Sequence, residues 1–261
     1  MSESILYSVT HGIATITLNR PRVMNALDGE MIRRLRAACE EVEGDAGVRA
    51  AVIRGAGPAF LAGGDVAVFR SNLPRIADLI REFAGELHHA ILALRRAPKP
   101  VLASVHGAVA GAGVSVMAAA DLAVAAADAT FTLAYSRIGA SPDGGATHFL
   151  PRLIGSRRAL ELMLLSDTVD ARTALGIGLV NRVVDREALD GETARLAQRL
   201  ARGATRAFAE TKHLVNGTFD RALGEQLAAE VEAFARCAVT ADLAEGVTAF
   251  VEKRRPDFRG N

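Results

Sequence analysis

The chain has 261 residues, half of them hydrophobic and 23% charged, which is enough for a packed core and too apolar for a disordered chain. Thirty-one Lys plus Arg stand against 30 Asp plus Glu for a formal net charge of +1, so no bulk basic surface is available for nucleic acid. The most apolar stretch, 101–120, is interrupted by Ser104, His106 and glycines and reads as core rather than as a membrane span.

The amino terminus MSESILYSVT lacks the features of a signal peptide. Cys39 and Cys237 lie far apart on separate helical patterns and read as free thiols, so the chain is expected to be soluble and cytoplasmic. Taken in order, Ile5–Val9 and Ile13–Leu18 alternate around His11-Gly12 as a hairpin. Asp28 is placed to cap a helix through Met31, Leu35, Ala38 and Val42. Ala50–Ile53 is a buried strand, and 68–74 reads as a loop of uncertain order. A long helix follows with Leu79, Phe83, Leu87, Ile91 and Leu94 on one face, stopping near Pro98. Pro100–Val105, Leu122–Ala125 and Thr130–Thr132 read as strands, with a helix through Met117 between the first two. Strands alternating with helices predict an α/β architecture with parallel pairing. After Pro151 the pattern is helical except for 179–184. The domain boundary is placed at 195, between an α/β core (1–195) and a helical carboxy-terminal region (196–261).

Three glycine-bearing turns stand out: Ala62-Gly63-Gly64-Asp65, Gly107 to Gly113, and Pro142-Asp143-Gly144-Gly145. None fits a phosphate loop or a dinucleotide fingerprint. The first two follow buried strands and the second opens into a helix, which leaves backbone N–H groups free where the helix dipole favours negative charge. Two such donors aimed at one point make an oxyanion hole. Ala62, Gly63, Gly64, Gly111, Ala112 and Gly113 are small enough to let a carbonyl approach the backbone. His, Cys and carboxylates never cluster at ligand spacing, so no metal is expected.

At this point the sequence resembles the crotonase family, also called the enoyl-CoA hydratase/isomerase family. The matching segments are Leu18-Asn19-Arg20-Pro21 with Met24-Asn25-Ala26-Leu27, Phe60 to Asp65, Pro100–Ala103 with His106-Gly107, and Ala110–Gly113. Phe149–Gly155, Ala174–Val180 and the ending Glu245-Gly246 with Ala249–Arg254 match as well. The resemblance implies a spiral of ββα units and a helical carboxy-terminal oligomerisation region forming homotrimers or hexamers. It implies acyl-CoA thioesters as substrates, with coenzyme A as part of the substrate and no separate cofactor. Matched motif to motif, the backbone N–H groups of Gly64 and Ala112 would hold the thioester oxygen. Coenzyme A contacts would fall at Arg22, Val23, Ala62 and Asp65, with Phe250 and Lys253 at the nucleotide end, acting on a neighbouring subunit's ligand in some arrangements.

The two glutamates with which the family's hydratases add water fall at Ser115 and Tyr135 here, and neither is present. A hydroxyl cannot stand in for a carboxylate as general base. Asp143 is the replacement candidate, matching the Pro-Asp turn of isomerases resembling the phenylacetate-pathway enzyme. Leu133, Phe131, Ile138 and Phe149 are close enough in sequence to give it an apolar setting. The expected reaction is a double-bond shift with Asp143 as acid/base. The alternative is a hydratase-like lyase, or an acyl-CoA dehalogenase or hydrolase on the same scaffold. His88 falls at the dehalogenase histidine position, Tyr135 at that subgroup's tryptophan, and His106 reads as structural. A serine hydrolase built from Ser104, His106, Ser115 and Asp121 lacks a nucleophile elbow.

Overall fold

The alternation around His11 and Gly12 folds as expected in a computed structural model that describes residues 3–261. β1 (Ile5–Thr10) and β2 (Ile13–Leu18) pair antiparallel, with His11 and Gly12 both at positive φ in the turn. α1 (Gly29–Gly44) starts at Asp28, whose carboxylate accepts from the Met31 amide at 2.9 Å and satisfies one orphan donor of the first turn. β3 (Ala50–Gly55) then pairs parallel with β2.

The stretch 68–74, expected as a loop, is a correction. Asp65 caps a short helix α2 (Val66–Ser71) by accepting from the Ala67 amide, and a single 3₁₀ turn leads on to α3 (Ile76–Arg96). The helix start is local to one side chain, Asp65, at the end of the Ala62-Gly63-Gly64 run. α3 buries Leu79, Leu87, Ile91 and Leu94 against the core and packs along α1, each such side chain contributing about 1.5–3 kcal/mol.

The chain continues through β4 (Val101–Val105), β5 (Ala108–Ala110), α4 (Ala112–Ala119), β6 (Leu122–Ala126) and β7 (Thr130–Thr132). Next come α5 (Ala146–Ile154), α6 (Ser156–Leu165), β8 (Val169–Asp170), α7 (Ala171–Gly176) and β9 (Arg182–Val184). The large sheet has the order β1-β2-β3-β4-β6-β9 and is parallel from β2 onward, while β5, β7 and β8 form a small second sheet. Successive strands thus alternate between the two sheets before each helix, as β4-β5-α4 and β6-β7-α5. Leu61, bridged in parallel to Val109, supplies the same second-sheet step after β3. This is the expected spiral of ββα units.

Two expected elements shift. Only Arg182–Val184 of the 179–184 strand pairs with β6, because Gly178 turns at φ 81° and the Leu179 amide bonds back to Ala174. The helical region begins before Pro151, which lies inside α5. Position 195 falls within α8 (Leu189–Ala201), whose Leu189, Leu196 and Ala197 pack on Val52, Leu102 and Val124 beneath the sheet. The break in helical structure comes after it, at 202–204.

Beyond that break lie α9 (Thr205–Gly217), α10 (Leu223–Ala238) and α11 (Ala241–Val251). Two long side chains tie this region to the spiral. Arg49 donates to Gly203 O, Thr205 Oγ1 and Phe258 O, and Lys212 Nζ donates to Leu94 O and Lys99 O. Both cysteines are free, Cys39 fully buried and Cys237 partly so. Among the described residues no helix is long and apolar enough to cross a membrane.

Candidate active site

The register of one parallel bridge sets the geometry of the site. Leu61 and Val109 are partners, with the Leu61 amide donating to Ala108 O and the Ala110 amide to Leu61 O. Gly64 and Ala112 each lie three residues past that bridge, so the two glycine turns end side by side. A Cβ on Gly63 would lie 3.1 Å from Ala110 O and 3.7 Å from the Ala112 nitrogen; one on Gly111 would lie 3.7 Å from Gly63 Cα. Gly113 answers to packing rather than to a ligand, since a Cβ there would stand 2.2 Å from Leu61 O. Ala112 is the first residue of α4. Among the described residues neither its amide nor that of Gly64 donates to another protein group.

Asn25 secures the first turn from behind. Fully buried and at φ 59°, it donates to Ala56 O, Ala59 O and Phe60 O and accepts from the Arg20 amide. Arg20 in turn pairs with both helix-capping carboxylates, Asp28 at 3.0 Å and Asp65 at 3.2 Å. Asp65, expected as a coenzyme A contact, therefore has its carboxylate engaged by Arg20 and by the α2 amide it caps. Arg22 and Val23 are exposed on a 3₁₀ turn, and the Ala62 amide donates to Met24 O, which brings these segments together.

Asp143 is half-buried in the Pro142-Asp143-Gly144 turn. The Tyr135 hydroxyl donates to its Oδ1 at 2.6 Å, and Ser115 Oγ donates to its backbone oxygen at 2.9 Å. The two positions that lack a glutamate thus hold the aspartate in place. The Tyr135 ring lies beside Gly111, its Cζ 3.9 Å from where a Cβ would be. Burial and the Asp143 charge push the Tyr135 pKa up, so this hydroxyl stays a donor. The sequence signal for this arrangement was the pairing of two hydroxyl residues at two lost carboxylate positions, which the residue types alone do not connect to Asp143.

Replacing Tyr135 by Phe removes a hydrogen bond to a charged group, worth about 1.5–3 kcal/mol. The expected result for Tyr135→Phe is a kcat roughly tenfold lower or more with KM little changed, read by steady-state kinetics on an acyl-CoA substrate. Equal kcat would deny Tyr135 a part in holding the carboxylate.

The remaining candidates separate. Phe131, Leu133 and Phe149 are buried in the core, but Ile138 is exposed at the end of a 3₁₀ turn. His88 is exposed on α3 and lines, with Gly144 and Gly145, a cleft of about 1010 Å³. Phe250 and Lys253 are exposed at the end of α11. Phe250 lines a separate groove with Cys237, Leu243 and Phe258, and neither residue is among those gathered around Gly63, Gly111 and Asp143. The imagined hydrolase residues are spent on separate partners. Ser104 bonds Thr193, His106 donates from Nε2 to Gly57 O, Ser115 bonds Asp143 O, and Asp121 accepts from the Val101 amide. Burial depresses the His106 pKa, in keeping with a structural role.

Unpartnered amides on two neighbouring turns, with a hydroxyl-held carboxylate on a third, are an arrangement that can hold an oxyanion. The enoyl-CoA hydratase/isomerase family profile matches residues 8–261. A Rhodobacter capsulatus protein described as a probable enoyl-CoA hydratase is 38% identical over 258 residues, covering 99% of this chain and 98% of its own. The 1,2-epoxyphenylacetyl-CoA isomerase of Escherichia coli is 35% identical over 264 residues, covering the whole of both chains. The crystal structure of an enoyl-CoA hydratase from Polaromonas sp. JS666 superposes with a TM-score of 0.93 at 34% identity, covering 98% of this chain and 99% of that one. The chain belongs to the enoyl-CoA hydratase/isomerase family, whose members act on acyl-CoA thioesters.

Proposed function

We propose that this protein moves the double bond of an enoyl-CoA, with Asp143 carrying the proton. The observation behind this reading is the Tyr135–Asp143 hydrogen bond, which engages Oδ1 and leaves Oδ2 without a protein partner among the described residues. The amides of Gly64 and Ala112 donate to the thioester oxygen. The free oxygen of Asp143 removes a proton from the carbon between thioester and double bond, and the electron pair passes to the thioester oxygen as a dienolate. The same carboxyl returns the proton at the far end of the conjugated system, so no water, redox partner or second base is consumed.

Arg22, Val23 and Ala62 lie on the coenzyme A side, with the Asp65 backbone beside them, and Phe250 and Lys253 serve a neighbouring copy's nucleotide. The chain needs no cofactor beyond the coenzyme A of its substrate, and a cytoplasmic enzyme is the reading that its two free thiols favour. The family resemblance implies a homotrimer or hexamer, and α10, where Leu223, Leu227, Val231 and Phe234 are exposed at helical spacing on one face, supports self-association. Leu227→Glu combined with Phe234→Glu is expected to reduce the assembly to monomers in analytical ultracentrifugation. A wild-type monomer would overturn the assembly.

The function is tested by incubating purified protein with 3-enoyl-CoA and 2-enoyl-CoA and identifying the products. Interconversion supports the isomerase. Water addition to 2-enoyl-CoA without interconversion overturns it in favour of a hydratase, and chloride release from a chloroaryl thioester in favour of a dehalogenase using His88.

A further inference from the structure

The cleft between α3, α5 and α9 begins where the proposed chemistry ends. It is lined by Gly144 and Gly145, directly after Asp143, and a Cβ on Gly144 would stand 3.4 Å from Ile91 Cδ1 on its apolar wall. One helical turn further along α3, about 6 Å, the Arg95 guanidinium lies over the Phe149 ring at 5.3 Å from its centroid. There the lining changes from apolar to cationic.

The cations at this end are unevenly matched. Arg236 is held by Glu210 at 2.7 Å and Arg96 by Glu43 at 2.8 Å. Arg95 and Lys212 share the single carboxylate of Asp121, at 3.7 and 2.8 Å, and all three side chains are three-quarters or more covered. Lys212 spends its three donors on Asp121, Leu94 O and Lys99 O, and Arg95 also donates to Asn216 Oδ1 and Ala119 O, so the one unmatched positive charge of this group is met by neutral acceptors and by no second carboxylate among the described residues. Arg206 also lines the cleft, is exposed and, among the described residues, has no ion pair. Asp220 is the one acid of the lining outside these pairs, and it is exposed.

We propose that this cleft is a subsite for an anionic acyl end, so that the enzyme selects enoyl thioesters whose chain terminates in a carboxylate seated against Arg95 and Arg206. The inference rests on the reading of Asp143 as the reacting carboxylate, which puts the reacting carbons beside Gly144 and Gly145 in the lining of the cleft. The wall of Ile91 and Phe149 between Gly144 and Arg95 suits the intervening methylenes. The coenzyme A phosphates belong on the Arg22 and Ala62 side of the thioester and do not compete for this end. An Arg fork takes a carboxylate in two parallel hydrogen bonds, which suits a planar terminal group.

The test is calorimetric binding of two saturated acyl-CoA thioesters of equal chain length, one ending in methyl and one in carboxylate. Saturated chains cannot isomerise, so the readout does not depend on turnover. The carboxylate form is expected to bind about tenfold more tightly at low salt. That preference should weaken severalfold in Arg206→Gln, be lost in Arg206→Glu, and persist in Arg81→Gln, which removes an exposed arginine paired with Asp78 outside the cleft. Circular dichroism of each variant controls for folding. Equal affinity of the wild type for the two ligands overturns the subsite, as does a preference that survives both Arg206 variants. If the preference follows Arg206 but no enoyl-CoA is isomerised, the subsite stands and the isomerase reading falls.

Discussion

Asp143→Asn is expected to lower kcat for double-bond migration by roughly 10²–10⁴-fold, the usual contribution of a positioned acid/base, with KM nearly unchanged. The substitution is close to a pure removal of proton-accepting power. Asparagine has the same shape, and its side-chain oxygen can still accept from the Tyr135 hydroxyl. The Ser115 hydrogen bond goes to the backbone oxygen of residue 143 and is untouched. The turn itself depends on Gly144 and Gly145 at φ 61° and 80°, a conformation that the neighbouring side chain does not set. A fall in kcat alone, followed by absorbance of the conjugated thioester, therefore reports proton transfer. A variant that keeps more than about a tenth of wild-type activity would move the chemistry to another group, of which His88, in the lining of the cleft with Gly144, is one candidate.

Ala112→Pro should cost about 2.7–4 kcal/mol of transition-state stabilisation, a loss of roughly 10²–10³ in kcat, while changing thermal stability little. Proline at the first position of a helix fits the φ required there and replaces an N–H that no carbonyl within the helix could use. In this chain that amide has no protein acceptor among the described residues, so the fold loses no hydrogen bond. The preceding Gly111, at φ 51° and ψ −120°, stands outside the helical region that a following proline disfavours. Paired measurements of kcat and melting temperature separate the outcomes. A variant with normal melting and normal kcat would show that the Ala112 amide is not an oxyanion donor. A collapse of both would show that the helix start, held on the Leu61 backbone by Gly113, cannot accept the ring.

These two residues were legible at different levels. Asp143 could be nominated because a Pro-Asp-Gly turn survives where two glutamates do not. Ala112 could be nominated because a helix opens directly from a glycine run. Their setting could not be read so directly. Tyr135 and Ser115 were recognised as occupying lost carboxylate positions, yet nothing in their types shows that both now bond to residue 143, from 8 and 28 positions away. Asp65 was read for ligand contact and proves to cap α2 and pair with Arg20, so that one residue of the glycine-rich run serves the fold as well. The cationic end of the cleft draws on α3 and α9, with Arg95 and Lys212 separated by more than a hundred residues and joined only through Asp121.

The amino-acid order by itself determined the hairpin, the Asp28 cap, the apolar face of α3, and the alternation of strands and helices. Each is written in neighbouring residues, through a period of two or 3.6 or a single capping side chain. The tertiary structure alone decided that Leu61 pairs with Val109, which sets Gly64 and Ala112 level, and that two hydroxyls meet the Asp143 turn. Parallel strands are joined by long crossovers, so their register depends on how whole helices pack rather than on any local pattern.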